Sequence, residues 1–131
     1  MDRLFLDANI LFSAAYRQDA GLVRLWRLDE AELVTSVHAL EEARRNLSGH
    51  EQQKRLDRLL EKVMVLESQS ENDNLPPDIE LPDKDKPILS AAIHTRATHL
   101  ITGDFRHFGK YYGKSVEGAL ILPPVLYLAD F

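Results

Sequence analysis

An α/β fold with a mostly parallel sheet is predicted by two features of this chain. Short apolar runs of strand length recur along it, and stretches with apolar residues at helical spacing separate them. Strands that alternate with helices pair through crossovers, which makes the sheet parallel and covers both of its faces with helices. The 131 residues are enough for one compact domain, 1–131, with its own core, and too few for two ordinary ones.

Arg3–Asp7 carries Leu4-Phe5-Leu6 and reads as a buried strand, followed by a helix from Asn9 to Tyr16. Gly21–Leu28 predicts a second helix, with Leu22, Leu25, Trp26 and Leu28 on its apolar side. Glu32–Ser36 is a short strand, and Ser36 is placed to cap a helix running to Leu47. Gly49 interrupts the chain, Glu51–Lys62 resumes as helix with Leu56, Leu59 and Leu60 in register, and Val63–Leu66 is the next strand. Glu67–Pro82 reads as a loop, because Asn72-Asp73-Asn74 and Pro76-Pro77 break regular structure. Asp85–Ala97 predicts a helix: Pro87 falls in its first turn, where a missing N–H costs nothing, and Ile88, Leu89, Ala92 and Ile93 form its apolar stripe. His99–Thr102 and Ala119–Leu122 complete a five-stranded sheet, and Pro124–Leu128 is a final helical turn.

Composition narrows the function. No apolar run approaches the roughly 20 residues of a membrane span, and the first strand begins too early for a signal peptide, so a cytoplasmic protein is expected. The absence of cysteine excludes disulfides, thiolate catalysis and cysteine-bound zinc. A formal charge of −5 argues against a general nucleic-acid coat protein. It weighs less against a nuclease whose acidic site is neutralised by bound cations.

Four acids stand out by position: Asp7 at the end of the first strand, Glu42 on the helix after the second, Asp85 at the start of the long helix, and Asp104 after Leu100-Ile101-Thr102-Gly103. Such positions converge on the crevice beyond the carboxyl ends of a parallel sheet. Carboxylates gathered there repel one another unless a hard cation sits among them. Each acid also has a plainer reading. Asp7 and Asp85 are good helix N-caps, and Asp104 suits a turn. Asp85, however, lies in line with Ile88, Leu89 and Ala92, which turns it inward. Glu41 and Glu42 flank the apolar stripe of their helix on opposite sides, and helical periodicity does not choose between them.

Taken together, Phe5-Leu6-Asp7-Ala8-Asn9, Thr35-Ser36 with Leu40-Glu41-Glu42-Ala43-Arg44-Arg45-Asn46-Leu47, Asp85-Lys86-Pro87-Ile88-Leu89-Ser90-Ala91-Ala92 and Leu100-Ile101-Thr102-Gly103-Asp104 resemble the PIN-domain nucleases, which include the VapC-type toxin ribonucleases. The resemblance spans essentially the whole chain. It implies a five-stranded parallel sheet and selects Glu42, six positions after Ser36, as the site glutamate. It also implies that Asp7, Glu42, Asp85 and Asp104 hold the metal, with Asn9, Ser36 and Thr102 in support. Asp83 is a candidate to assist Asp85 or to cap the loop, and His107, close behind Asp104, is a candidate to touch substrate, although a surface histidine is the plainer reading. Arg44, Arg45, Arg106 and Lys110 are candidates for contact with substrate phosphates, although a solvated helix face is the better explanation for most of the chain's basic residues.

Oxygen ligands suit Mg²⁺ or Mn²⁺. The expected chemistry is in-line hydrolysis of an RNA phosphodiester, leaving a 5′-phosphate and a 3′-hydroxyl. The implied partners are RNA, a cognate antitoxin with a basic segment, and a second copy of the chain, with Trp26, Tyr111 and Tyr112 as candidate interface residues. Three other readings compete: a non-toxin RNA-processing nuclease, a catalytically silent interaction module, and an aspartyl phosphatase using Asp7. The last requires a second acid two residues on, where Asn9 stands.

Overall fold

The apolar run at the start of the chain becomes the middle of the sheet. In the computed structural model, which describes residues 1–67 and 75–130, strand β1 (Asp2–Leu6) leads into helix α1 (Ala8–Tyr16) and a 3₁₀ helix (Gly21–Arg27). Strand β2 (Ala31–Ser36), helices α2 (Val37–Asn46) and α3 (His50–Leu60), and strand β3 (Val63–Leu66) follow. Then come α4 (Lys86–His94), β4 (His99–Ile101), α5 (Phe105–Phe108), a 3₁₀ turn (Gly109–Tyr111), β5 (Ser115–Val116), β6 (Ala119–Leu122) and α6 (Pro124–Leu128). Leu4, Phe5 and Leu6 are fully buried, as are Leu100 and Ile101 of the neighbouring strand. No helix among the described residues is long and apolar enough to cross a membrane.

The strand order is β3-β2-β1-β4-β6-β5. The five expected strands are all present and pair in parallel. A sixth, β5, pairs antiparallel with β6 at the edge. It was missed because it has only two residues; its turn, Glu117-Gly118, takes positive φ at both positions (48° and 93°), as a two-residue hairpin requires.

The order reverses at β1, which has β2 on one side and β4 on the other. The chain moves outward in one direction from β1 to β2 and in the other from β3 to β4. Right-handed crossovers therefore carry the intervening helices to opposite faces and open a crevice between the ends of β1 and β4.

Three expected elements change in detail. Gly21–Leu28 winds as a 3₁₀ helix over Gly21–Arg27, because Leu22, Leu25 and Leu28 repeat every three residues, the period of that helix. The helix expected to reach Ala97 stops at His94. Arg96 turns to φ 60°, and the N–H groups of Ala97 and Arg96 return to the carbonyls of Ala92 and Ile93, both at 3.0 Å. The short α5 was not anticipated. Of the loop expected over Glu67–Pro82, the stretch 68–74, with Asn72-Asp73-Asn74, lies outside the described residues.

The candidate interface aromatics belong to the fold instead. Trp26 is buried, and its indole N–H donates to the Leu59 carbonyl at 2.9 Å. Tyr111 is buried too, with its hydroxyl accepting from the Glu80 N–H at 2.6 Å. Tyr112 is half-buried and donates to the Thr102 carbonyl at 2.9 Å.

Candidate metal centre

Asp7 is the first residue past β1, held in the sheet by its N–H on the Ile101 carbonyl at 3.1 Å. Its carboxylate is 4% exposed and fully engaged. Oδ1 accepts from the Ala8 N–H at 2.6 Å, while Oδ2 accepts from the Thr102 hydroxyl at 2.8 Å and the Asn9 amide at 3.2 Å. The same Thr102 hydroxyl accepts from the Asp104 N–H at 3.1 Å, and Asn9 Oδ1 accepts from the Gly103 N–H at 2.7 Å. Side chains at the end of β1 are thus tied to the backbone that leaves β4. A Cβ at position 103 would stand 3.3 Å from Asn9 Oδ1, so glycine keeps this approach close.

Asp85 sits at the N-terminus of α4, buried and 6% exposed, but its side chain makes no cap hydrogen bond. Asp104 does cap its short helix, accepting from the His107 N–H at 3.2 Å. His107 Nδ1 then reaches 2.9 Å from Asp104 Oδ2 and 2.9 Å from Asp85 Oδ2. A single N–H cannot serve both; the hydrogen bond goes to Asp104, and Asp85 Oδ2 stays buried without one. Expected as a surface histidine, His107 is instead three-quarters buried at the side chain, between two acids. The spacing Asp-x-x-His across a first helical turn was the signal for it, since residues three apart face each other.

Electrostatics joins the remaining members. Burial is the main cause that pushes Asp7 up to about 6, with the hydrogen bonds from Thr102 and Ala8 opposing it and the charges of Asp85 and Glu42 adding to it. Asp85 is likewise raised by burial first; Lys84 and His107 lower it, and Asp104 and Glu42 raise it. Glu42 is therefore close enough to act on both buried acids, and it lines a cleft with Ala8, Asn9, Phe12, Ala43 and Asn46. Glu41 points to solvent.

Comparison with known proteins places the fold. A family profile described as the PIN domain matches residues 3–106. The chain belongs to the PIN-domain family. No curated protein sequence matches it. Among solved structures, it resembles VapBC2 from Rickettsia felis, crystallised bound to a promoter DNA fragment, with TM-score 0.68 and 15% identity over 92% of this chain and 98% of that one. It also resembles VapC20 of Mycobacterium tuberculosis, a sarcin–ricin loop cleaving toxin, with TM-score 0.57 and 19% identity over 78% of this chain and 92% of that one. At these identities the likeness is one of fold.

The donor set of this PIN domain fits a divalent cation. Ligand atoms of Asp85, Asp104 and His107 all lie within 4.8 Å of one another, and the unbonded Asp85 oxygen is among the buried atoms of that cluster. Asp7 and Glu42 stand outside this tight group: Glu42 acts on Asp85 through charge, and Asp7 is coupled to Asp85 by charge and to the Asp104 backbone through Thr102. Ser36 is buried as the cap of α2, its hydroxyl accepting from the Ala39 N–H at 3.2 Å.

The basic candidates divide. Arg44 pairs with Asp57 at 3.1 Å and donates to Gln53, which ties α2 to α3. Lys110 pairs with Glu80 at 3.2 Å. Arg45 and Arg106 are exposed and have no partner among the described residues. Asp83 is exposed and pairs with Lys86 at 3.3 Å rather than assisting Asp85. A roomier apolar cleft of about 740 Å³ lies elsewhere, between α1 and α6, and gathers no carboxylate.

Proposed function

We propose that this chain is a Mg²⁺- or Mn²⁺-dependent endoribonuclease of the VapC type, the toxin of a toxin–antitoxin pair. The observation that carries the reading is the meeting of Asp85 and Asp104 beside Asp7 at the β1/β4 reversal, with a buried carboxylate oxygen left unbonded. A carboxylate oxygen buried without a hydrogen bond is costly when ionised, and a cation removes that cost. The structural neighbours are VapBC2 and VapC20, the second described as a sarcin–ricin loop cleaving toxin.

Asp85 and Asp104 would hold the cation, with Asp7 and Glu42 completing the negative field around it. When bound, the cation supplies the charge that acidifies a water and stabilises the oxygens of an in-line phosphodiester displacement. The chain's own residues set the stage. Thr102 and Asn9 fix the Asp7 carboxylate in one orientation and hold the Gly103–Asp104 backbone against it. Burial keeps bulk water from Asp7 and Asp85, which strengthens their attraction for a cation. Arg45 and Arg106 are free to bind flanking phosphates, which positions RNA without reading its sequence. A cognate antitoxin would cover this acidic crevice with a basic segment, in keeping with the net charge of −5.

The test is cleavage of a panel of structured RNAs, a sarcin–ricin loop among them, by wild type and Asp7→Asn in Mn²⁺ or in EDTA. Cuts ending in 5′-phosphate that need Mn²⁺ and fall at least 100-fold in the variant are expected, since charge placement of this kind dominates such reactions. Cleavage that persists in EDTA or in Asp7→Asn refutes the assignment.

A further inference from the structure

We propose that His107 is itself a metal ligand, so that the cation is held by a mixed nitrogen–oxygen set of Asp85, Asp104 and His107. This inference rests on the metal-dependent reading above and goes beyond its four acids. The imidazole is not a loose surface group. Its backbone N–H is bonded to Asp104 Oδ1 at 3.2 Å, and its side chain is 25% exposed, wedged so that Nδ1 lies 2.9 Å from a carboxylate oxygen on each side. The two acids and the imidazole therefore present one donor atom apiece to a common point, all within 4.8 Å.

A hydrogen bond alone does not explain the arrangement. A proton on Nδ1 satisfies Asp104 and leaves Asp85 Oδ2 buried and unbonded, the costlier half of the bargain for a charged acceptor. A divalent cation in place of that proton serves both oxygens and takes the Nδ1 lone pair, with the remaining ring proton on Nε2.

An imidazole ligand changes which metal the site prefers. Mg²⁺ favours oxygen and gives up its waters reluctantly, whereas Mn²⁺ and the later divalent ions accept imidazole in increasing order of affinity. The site should discriminate against Mg²⁺ more than four carboxylates would. Losing a partner one shell further out already weakens metal binding by about 10- to 100-fold, so His107→Gln should weaken Mn²⁺ binding by at least about tenfold and Mg²⁺ binding far less.

The experiment uses Mn²⁺ alone, with calorimetric titration to establish binding and pulsed electron paramagnetic resonance to detect ¹⁴N coupling from a directly bound imidazole. Wild type should show the coupling and His107→Gln should lose it. His38 is the necessary control, because its ring lies 3.2 Å from the Lys84 carbonyl, next to Asp85; the coupling should survive in His38→Gln. If His107→Gln fails to fold, the wild-type and His38→Gln spectra still decide the matter. Mn²⁺ bound without ¹⁴N coupling, or coupling that persists in His107→Gln, overturns the ligand assignment and leaves the nuclease reading standing. Folded wild type that binds no Mn²⁺ overturns both.

Discussion

Asp7 does two jobs at once. Its carboxylate takes a backbone N–H at the start of α1, as a cap would, and it also anchors the Thr102 hydroxyl and the Asn9 amide. The cap is what the structure shows, and the site role is proposed for the same carboxylate, which is why position alone does not rank the two. The cost shows in titration. Asp7 ionises near about 6 in the fold instead of 3.8, so the folded chain binds that proton more tightly than the unfolded chain does. Its charge therefore opposes folding at neutral pH, and the opposition fades as pH falls through 6 toward 4. Asp85, also raised, acts in the same direction. His99, lowered by burial, acts in the other: below about 6.5 the unfolded chain takes up its proton first. Comparing wild type with Asp7→Asn in EDTA removes the contributions the two proteins share. Urea unfolding should show wild type gaining on the order of 1 kcal/mol relative to the variant between pH 7 and pH 5; parallel profiles would mean that Asp7 is not held as a buried charge. The choice of Glu42 over Glu41 was not legible in helical periodicity, because both flank the apolar stripe. It depends on how α2 lies over the ends of the strands, a tertiary fact that one helix does not encode.

Elements were legible where the apolar period was long and clean, and illegible where two or three residues carry the structure. Strands β1 to β4 and β6, along with α1, α2, α3 and α4, were expected within a few residues of where they lie. Missed were β5, with two residues, and α5, with four, both too short to show a period. Their determinants are local instead. Asp104 starts α5 with its cap, and Gly118 permits the hairpin turn. The end of α4 is a related case, since nothing in its apolar stripe marks a stop at His94. The chain stops there because Arg96 adopts φ 60° and the Thr98 N–H must reach the Arg3 carbonyl of β1 at 2.9 Å. A left-handed conformation costs a non-glycine residue roughly 1–2 kcal/mol, partly offset by the extra freedom glycine has in the unfolded chain. Arg96→Gly should therefore raise stability by about 0.5–1 kcal/mol, read as a higher urea midpoint with an unchanged slope. Arg96 is exposed and lies at the far end of α4 from Asp85, so cleavage by this variant should match wild type. A loss of stability would mean that the arginine side chain contributes more than its backbone strain costs.

At the scale of the whole molecule, charge and topology pull against each other. The strand order gathers acids at one reversal point, and the chain carries a net charge of −5, yet the proposed substrate is a polyanion. Affinity for RNA must then come from the bound cation and a few arginines rather than from a basic surface. Two of the four basic candidates are already committed, Arg44 to Asp57 and Lys110 to Glu80, which leaves Arg45 and Arg106. Counterion release predicts the consequence. For single-stranded RNA the logarithm of affinity falls with the logarithm of salt by about 0.7 for each neutralised phosphate. One or two such contacts give a rise in KM of only about 3- to 7-fold between 50 and 200 mM monovalent salt at fixed Mn²⁺. Arg45→Ala and Arg106→Ala should each flatten this dependence, and the double variant should nearly abolish it while leaving kcat in place. A rise of 100-fold or more would require several phosphate contacts beyond Arg45, Arg106 and Lys84, the exposed lysine whose charge acts on Asp85. That result would move the source of affinity away from this crevice, to a partner chain or to a second copy, and would make RNA binding a property of the assembly rather than of the single domain.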